Sequence, residues 1–170
     1  MKYWNYWFYL NFILLSVAIF RVVTHYSFPS LTLPVLFGFI GFLFFLFNWS
    51  RNAFFATIRS VPDRKIKIKL ANLSKKVMPY HRWTGTIALI LVLFHAKFVI
   101  HSYDFSIYHG KMVIGLLALI NLILLVSVGW IRLIRKDGKL RFLHLRLGYL
   151  QFILIRFAYG EGEQYVPFVL

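Results

Sequence analysis

The fold class this sequence predicts is all-α: an integral membrane helical bundle with about five transmembrane helices. Apolar residues make up 60% of the 170 and give a mean hydropathy of +0.69. They gather into runs of about twenty, the length at which a helix crosses a ~30 Å hydrocarbon layer. The 20 Lys and Arg, set against 5 Asp and Glu, collect at the ends of those runs.

Taken in order, the first span is expected over about residues 4–23, with Trp4, Tyr6, Trp7 and Tyr9 as an aromatic anchor at the interface. No small-residue cleavage site follows, so it reads as a retained helix and not as a removed signal peptide. It ends near Arg21, His25 and Pro29. Span two covers about residues 31–48, where Gly38 and Gly41 allow close helix contact. A basic connection follows over residues 51–76, with Asp63 its one acid. Within it Lys65-Ile66-Lys67-Ile68-Lys69-Leu70 alternates charge with apolar residue, a pattern of a short strand or an interfacial segment.

Pro79 suits the first turn of a helix, and span three then runs over about residues 80–100. A short loop from His101 to Lys111 leads to span four, about residues 112–131, in which Asn121 is the one amide expected to be buried. Asp137-Gly138 marks a turn inside the second basic connection. Span five covers about residues 140–159, and the tail carries Glu161 and Glu163. The whole chain, 1–170, reads as one transmembrane domain with no flavin or nicotinamide domain.

With Arg82 and Arg146 included, the connections after spans two and four hold fifteen of the 20 Lys and Arg. Both connections are therefore expected on the cytoplasmic side, with the amino terminus inside and the carboxyl terminus outside, in the cell membrane. Arg156, late in span five, is expected to snorkel outward or to meet an acidic group such as Glu161. Basic residues placed at span ends instead of on a soluble face argue against nucleic acid. No nucleophile-base pair, carboxylate pair or phosphate loop is present, so no catalytic residue for hydrolysis or phosphoryl transfer is expected. The sequence has no cysteine, which removes disulfides, iron-sulfur clusters and thiolate ligation and leaves histidine as the strong nitrogen ligand.

Histidine is where the chemistry concentrates. His81 and His95 bracket an apolar run on span three; fourteen helical residues separate them by about 21 Å along the axis and about 40° around it. Both point the same way at two depths, and ionisable side chains inside a span are costly enough to favour a functional role. His81 and Gly85 share the HxxxG spacing of His144 and Gly148, each with a basic neighbour, Arg82 or Arg146. A glycine one turn above a histidine removes the Cβ that would hold a flat ligand away. Two such helices would offer an imidazole on either side of a slot, which is what bis-histidine haem ligation requires. Arg82 and Arg146 suit haem propionates, since a guanidinium pairs with a carboxylate bidentately, and equally suit plain positive-inside topology. His25, His101 and His109 fall on or near outer loops. They are read as solvated loop residues, with gathering a metal ion or supplying an axial ligand as the functional version; Met112 and Tyr159 are lesser candidates.

Two histidines fourteen apart on span three, a basic residue after the first, and another histidine at the cytoplasmic start of span five resemble the ferric reductase-like transmembrane domain. That superfamily includes NADPH oxidases, metalloreductases and a membrane subunit that supports methionine sulfoxide reductase. The resemblance is strongest between His81 and Gly148. It implies haem b between spans three and five, with His81 paired to His144 at an inner haem and His95 at the outer-haem position. Phe157 and Ala158 stand where the family has a second span-five histidine, so one haem is implied and a second lacks its usual ligand. Flavin is expected only through a partner protein.

The expected function is thus a haem-b transmembrane electron-transfer protein, an oxidoreductase or the membrane haem subunit of one. Its partners are the lipid bilayer, a cytoplasmic flavoprotein or quinol as donor, and an acceptor protein or metal ion at the outer face. The rival reading is a non-catalytic scaffold or accessory subunit whose histidines are structural. Topology is directly testable because the chain has no native cysteine. In intact cells a membrane-impermeant thiol reagent should label Glu163→Cys and leave Lys67→Cys and Lys136→Cys unlabelled; the opposite pattern reverses the orientation.

Overall fold

The computed structural model describes residues 32–135 and 137–160, together with Ile13, Ser16, Val17, Phe20 and Thr24, which are helical. The side chains of residues 52–57, 59, 60, 159 and 160 lie outside that description. So do His25, Lys136, Glu161, Glu163 and most of the first span, including its aromatic anchor. Four helices are described in full and no strand is found among the described residues: α1 Leu33–Ser60, α2 Arg64–Tyr103, α3 Gly110–Ile134 and α4 Gly138–Gly160. Three of them, α1 over Leu33–Arg51, α2 and α3, are long and apolar enough to cross a membrane.

The helix boundaries follow from local chemistry. Between α1 and α2 stands Val61-Pro62-Asp63, where Pro62 disfavours helical backbone at the residue before it. Asp63 then caps α2: its Oδ1 accepts from Lys65 N–H at 2.7 Å and its carbonyl from Lys67 N–H at 3.0 Å. Asp137 does the same for α4, accepting from Lys139 N–H at 2.9 Å and from Arg141 N–H at 3.2 Å. The lone acid of each basic connection is therefore a helix cap, worth about 1 kcal/mol and well matched to the helix dipole. Asp104 ends α2 with φ of 52°, a left-handed residue of the kind that closes helices.

Two expectations change here. The alternating Lys65 to Leu70 stretch is helical, not a strand: it starts at a capped terminus and no strand among the described residues pairs with it. Pro79 is not in a first turn but sixteenth in a 40-residue helix, where it leaves the Lys75 carbonyl without its usual intrahelical donor. At ~1.5 Å per residue α2 is about 60 Å long, roughly twice the hydrocarbon thickness. The excess belongs to its amino-terminal part, which carries Arg64, Lys65, Lys67, Lys69, Lys75 and Lys76 and no acid. The basic connection after span two is thus largely rigid helix.

Two compact units divide the chain, Met1–Phe98 and Val99–Leu170. In the first, α1 and α2 pack antiparallel: the side chain of Asn48 meets His81, and the carbonyl of Pro34, fourteen residues earlier, meets His95, fourteen residues later. Gly41 brings the helices close, since a Cβ there would come within 3.0 Å of Val92 Cγ2 and 3.6 Å of the Ala88 carbonyl. Phe37 packs on Phe94 and Phe98 at 5.5 and 5.6 Å between ring centroids. Phe42, Phe45, Leu46, Trp49 and Ala88 are buried, while Ile90 and Leu93 of α2 are exposed.

In the second unit α3 and α4 pack through Leu122, Val128 and a polar pair. Asn121 Nδ2 donates to Gln151 Oε1 at 2.8 Å and to the Leu147 carbonyl at 3.0 Å, with both amides at most 4% exposed. Replacing Asn121 by Ala leaves Gln151 Oε1 without this donor and should destabilise by about 1–2 kcal/mol. Asn121→Leu combined with Gln151→Leu should recover most of that loss in a detergent unfolding titration. Equal stability of Asn121→Ala and wild type would remove the pair as a packing determinant.

Candidate functional site

Each of His81, His95 and His144 meets a polar group of the neighbouring antiparallel helix. His95, on α2, places Nδ1 2.7 Å from the Pro34 carbonyl of α1. His144, on α4, places Nδ1 3.1 Å from the Leu125 carbonyl of α3. A carbonyl can only accept, so in both rings Nδ1 carries a proton and donates it. In the neutral imidazole the lone pair then belongs to Nε2. This is the arrangement in which a ligating histidine is normally held, with the ring nitrogen away from the metal donating to a carbonyl or carboxylate.

His81 is held differently. One end of the Asn48 side-chain amide lies 2.9 Å from His81 Nδ1 and 2.7 Å from Thr84 Oγ1. Thr84 has a single hydroxyl proton, and the Tyr80 carbonyl takes it at 2.8 Å. Toward Asn48 the hydroxyl must then accept, so the amide nitrogen faces Thr84 and His81. The Asn48 oxygen in turn accepts from Gly85 N–H at 3.0 Å. His81 Nδ1 becomes an acceptor in this arrangement and its proton resides on Nε2. Turning the amide over reverses both roles: Asn48 Oδ1 accepts from Nδ1–H, and Nε2 holds the lone pair.

The glycines take separate parts. Gly85, expected to open a slot above His81, faces α1, with one end of the Asn48 side-chain amide 3.5 Å from where its Cβ would be. Gly148, a turn above His144, is half-buried. Two others lie against the imidazoles: a Cβ on Gly38 would meet His95 Nδ1 at 2.8 Å, and one on Gly129 would meet His144 Cε1 at 3.4 Å.

Arg82 is half-buried and its carbonyl accepts from Thr86 Oγ1 at 3.0 Å. Arg146 is exposed, its guanidinium 4.1 Å from the Phe142 ring centroid one turn back on α4. His101 lies exposed in the last turn of α2, and His109 lies exposed just before α3. The Met112 sulfur accepts from Ser106 N–H at 3.4 Å within the α2–α3 loop. His25 and the Tyr159 side chain lie outside the described residues. Among the described residues, no three of His, Cys, Asp and Glu come together as a metal-binding group.

His81 and His95 belong to the first compact unit and His144 to the second. Sequence reasoning passed over Asn48 and Gln151, although each is an amide inside an apolar stretch and carries the signal that marked Asn121. No family model, curated protein or solved structure matches this chain.

Proposed function

We propose that this chain is a haem-b transmembrane electron-transfer protein of the ferric reductase-like kind. It accepts electrons at the cytoplasmic face and passes them to an acceptor protein or metal ion outside. The observation that carries this reading is the Nδ1–H donation of His95 and His144 to backbone carbonyls, which leaves the lone pair of each neutral ring on Nε2, the nitrogen an axial ligand would use. A solvated or merely snorkelling histidine has no need of such a fixed tautomer.

In this reading His81 and His144 are the axial nitrogens of an inner haem, and His95 marks a second station about 21 Å further along the same helix. Ligation by His81 Nε2 goes with the Asn48 amide turned to accept from Nδ1–H. Arg82 and Arg146 neutralise propionates, and His25, His101 or His109 completes the outer site. Haem b supplies a one-electron couple, and two axial imidazoles leave its iron no open position, which favours electron transfer over oxygen binding. The bilayer arrangement that serves this function has five spans, with α4 and the amino-terminal segment added to α1, α2 and α3. The amino terminus is inside, the carboxyl terminus outside, and the location is the cell membrane.

The donor is a cytoplasmic flavoprotein or quinol. A flavoprotein with an acidic face suits the six cations between Arg64 and Lys76, because a rigid helix presents them without further ordering. The electron input rate from such a flavoprotein should fall at least about ten-fold as salt shortens the Debye length from ~30 Å to ~3 Å. A rate insensitive to salt rules out this docking surface.

One observation favours a scaffold or accessory subunit instead: the His81, Asn48 and Thr84 cluster satisfies its polar groups across α1 and α2 without any ligand. Reduced-minus-oxidised spectra of the purified protein separate the readings. Haem content is expected to fall from two to one in His81→Ala and in His144→Ala, each with loss of the inner-haem bands, and from two to one in His95→Ala. A colourless wild type refutes the haem reading, and bands unchanged in either inner mutant exclude that residue as a ligand.

A further inference from the structure

His95 does not meet Pro34 by chance of packing; a particular glycine admits it. In an α-helix the Cα–Cβ bond tilts toward the amino terminus, so the side chain of residue i+4 leans over the carbonyl of residue i. Residue 38 stands in that relation to Pro34, and it is glycine. The Pro34 carbonyl has two lone pairs, of which the helix itself uses one. With no Cβ at position 38 the second is open to α2, and His95 Nδ1 reaches it at 2.7 Å. A Cβ at that position would lie 2.8 Å from His95 Nδ1, 3.0 Å from Cε1 and 3.3 Å from Cγ. Three atoms of a rigid ring cannot all move aside while Nδ1 keeps its bond.

We propose that Gly38 is a positioning residue for His95: it uncovers the Pro34 carbonyl, and that carbonyl fixes the Nδ1-protonated tautomer. The same arrangement recurs in the second unit, where Leu125 and Gly129 are again four apart on α3 and His144 donates to the Leu125 carbonyl. There the fit is looser. A Cβ on Gly129 would lie 3.4 Å from His144 Cε1 and 3.8 Å from Nδ1, ordinary contact distances, so alanine is accommodated. The two sites thus share a design and differ in tolerance, which supplies an internal control.

The tautomers stand on the hydrogen bonds alone, and only the use of Nε2 as an axial nitrogen rests on the haem reading. If haem is absent while the tautomers hold, the haem reading fails and the role of Gly38 survives. The test is the nitrogen spectrum of the full chain, ¹⁵N-labelled at histidine, in detergent under reducing conditions that keep a bis-histidine iron diamagnetic. His95 and His144 should both be protonated at Nδ1 in wild type. Gly38→Ala should remove the Nδ1–H signature of His95 and leave that of His144 in place. Gly129→Ala should leave both unchanged, as should Gly115→Ala, whose Cβ meets nothing within 4 Å.

An Nε2-protonated His95 in wild type, or a His95 signal unaltered by Gly38→Ala, overturns the proposal. Should Gly38→Ala fail to fold, the added change His95→Ala removes the ring it strikes and should restore folding. A double variant that remains unfolded also overturns it.

Discussion

Hydrogen bonding between helices is the constraint on which the described structure depends. Within a hydrocarbon layer, apolar contact between helices gives little advantage over contact with lipid tails, so polar groups decide which helix faces are joined. Each unit has such groups. Asn48, Thr84, His81 and His95 join α1 to α2, and Asn121, Gln151 and His144 join α3 to α4. Backbone carbonyls supply several of the acceptors, which ties each side chain to a helical register and not merely to a neighbour. The equal fourteen-residue spacing from Pro34 to Asn48 and from His81 to His95 shows that register directly.

Glycine and the caps make this possible at opposite ends of the length scale. Gly41 lets α1 and α2 approach, and Gly38 goes further by exposing a carbonyl that any other side chain would cover. Asp63 and Asp137 act outside the apolar part, holding the first turn of the two helices that carry His81, His95 and His144. A cap contributes about 1 kcal/mol, and an interhelical hydrogen bond in a membrane about 0.6 on average. Neither is decisive alone. Their common effect is to select one rotation and one depth for each histidine.

Helical class and the three helices long and apolar enough to cross a membrane, at expected spans two, three and four, were legible because length and hydropathy are carried by composition alone. The ends of helices were less so: Lys65 to Leu70 has a strand-like alternation, yet the Asp63 cap starts a helix there. Pro79 looked like a beginning because proline favours first turns, and only the capped start sixteen residues earlier places it mid-helix. The histidines were legible as rare polar groups in apolar runs, and Asn121 for the same reason. Their partners were not. Pro34 and Leu125 act through main-chain carbonyls, which every residue possesses, so sequence carries no mark of them beyond the glycine four residues on. Gly85 and Gly148 drew attention by their spacing to a histidine on the same helix, whereas Gly38 and Gly129 touch a histidine on another.

The three histidines are consequently not equivalent in their hydrogen bonding. His95 and His144 face carbonyls, which cannot donate, so the neutral ring has one tautomer compatible with its surroundings. His81 faces an amide, whose two ends are alike in shape and opposite in hydrogen-bonding sense. With the nitrogen toward His81, Gly85 N–H and the Thr84 hydroxyl are both satisfied, and the imidazole proton stays on Nε2. Turning the amide over passes the Thr84 proton from the Tyr80 carbonyl to Asn48 and moves the imidazole proton to Nδ1. Gly85 N–H then keeps only its bond within the helix. No heavy atom needs to travel far, but three groups must change roles together. On the haem reading, His144 is therefore preset for ligation while His81 is recruited to it, and the Asn48 amide is the group whose rotation separates a structural histidine from a ligating one.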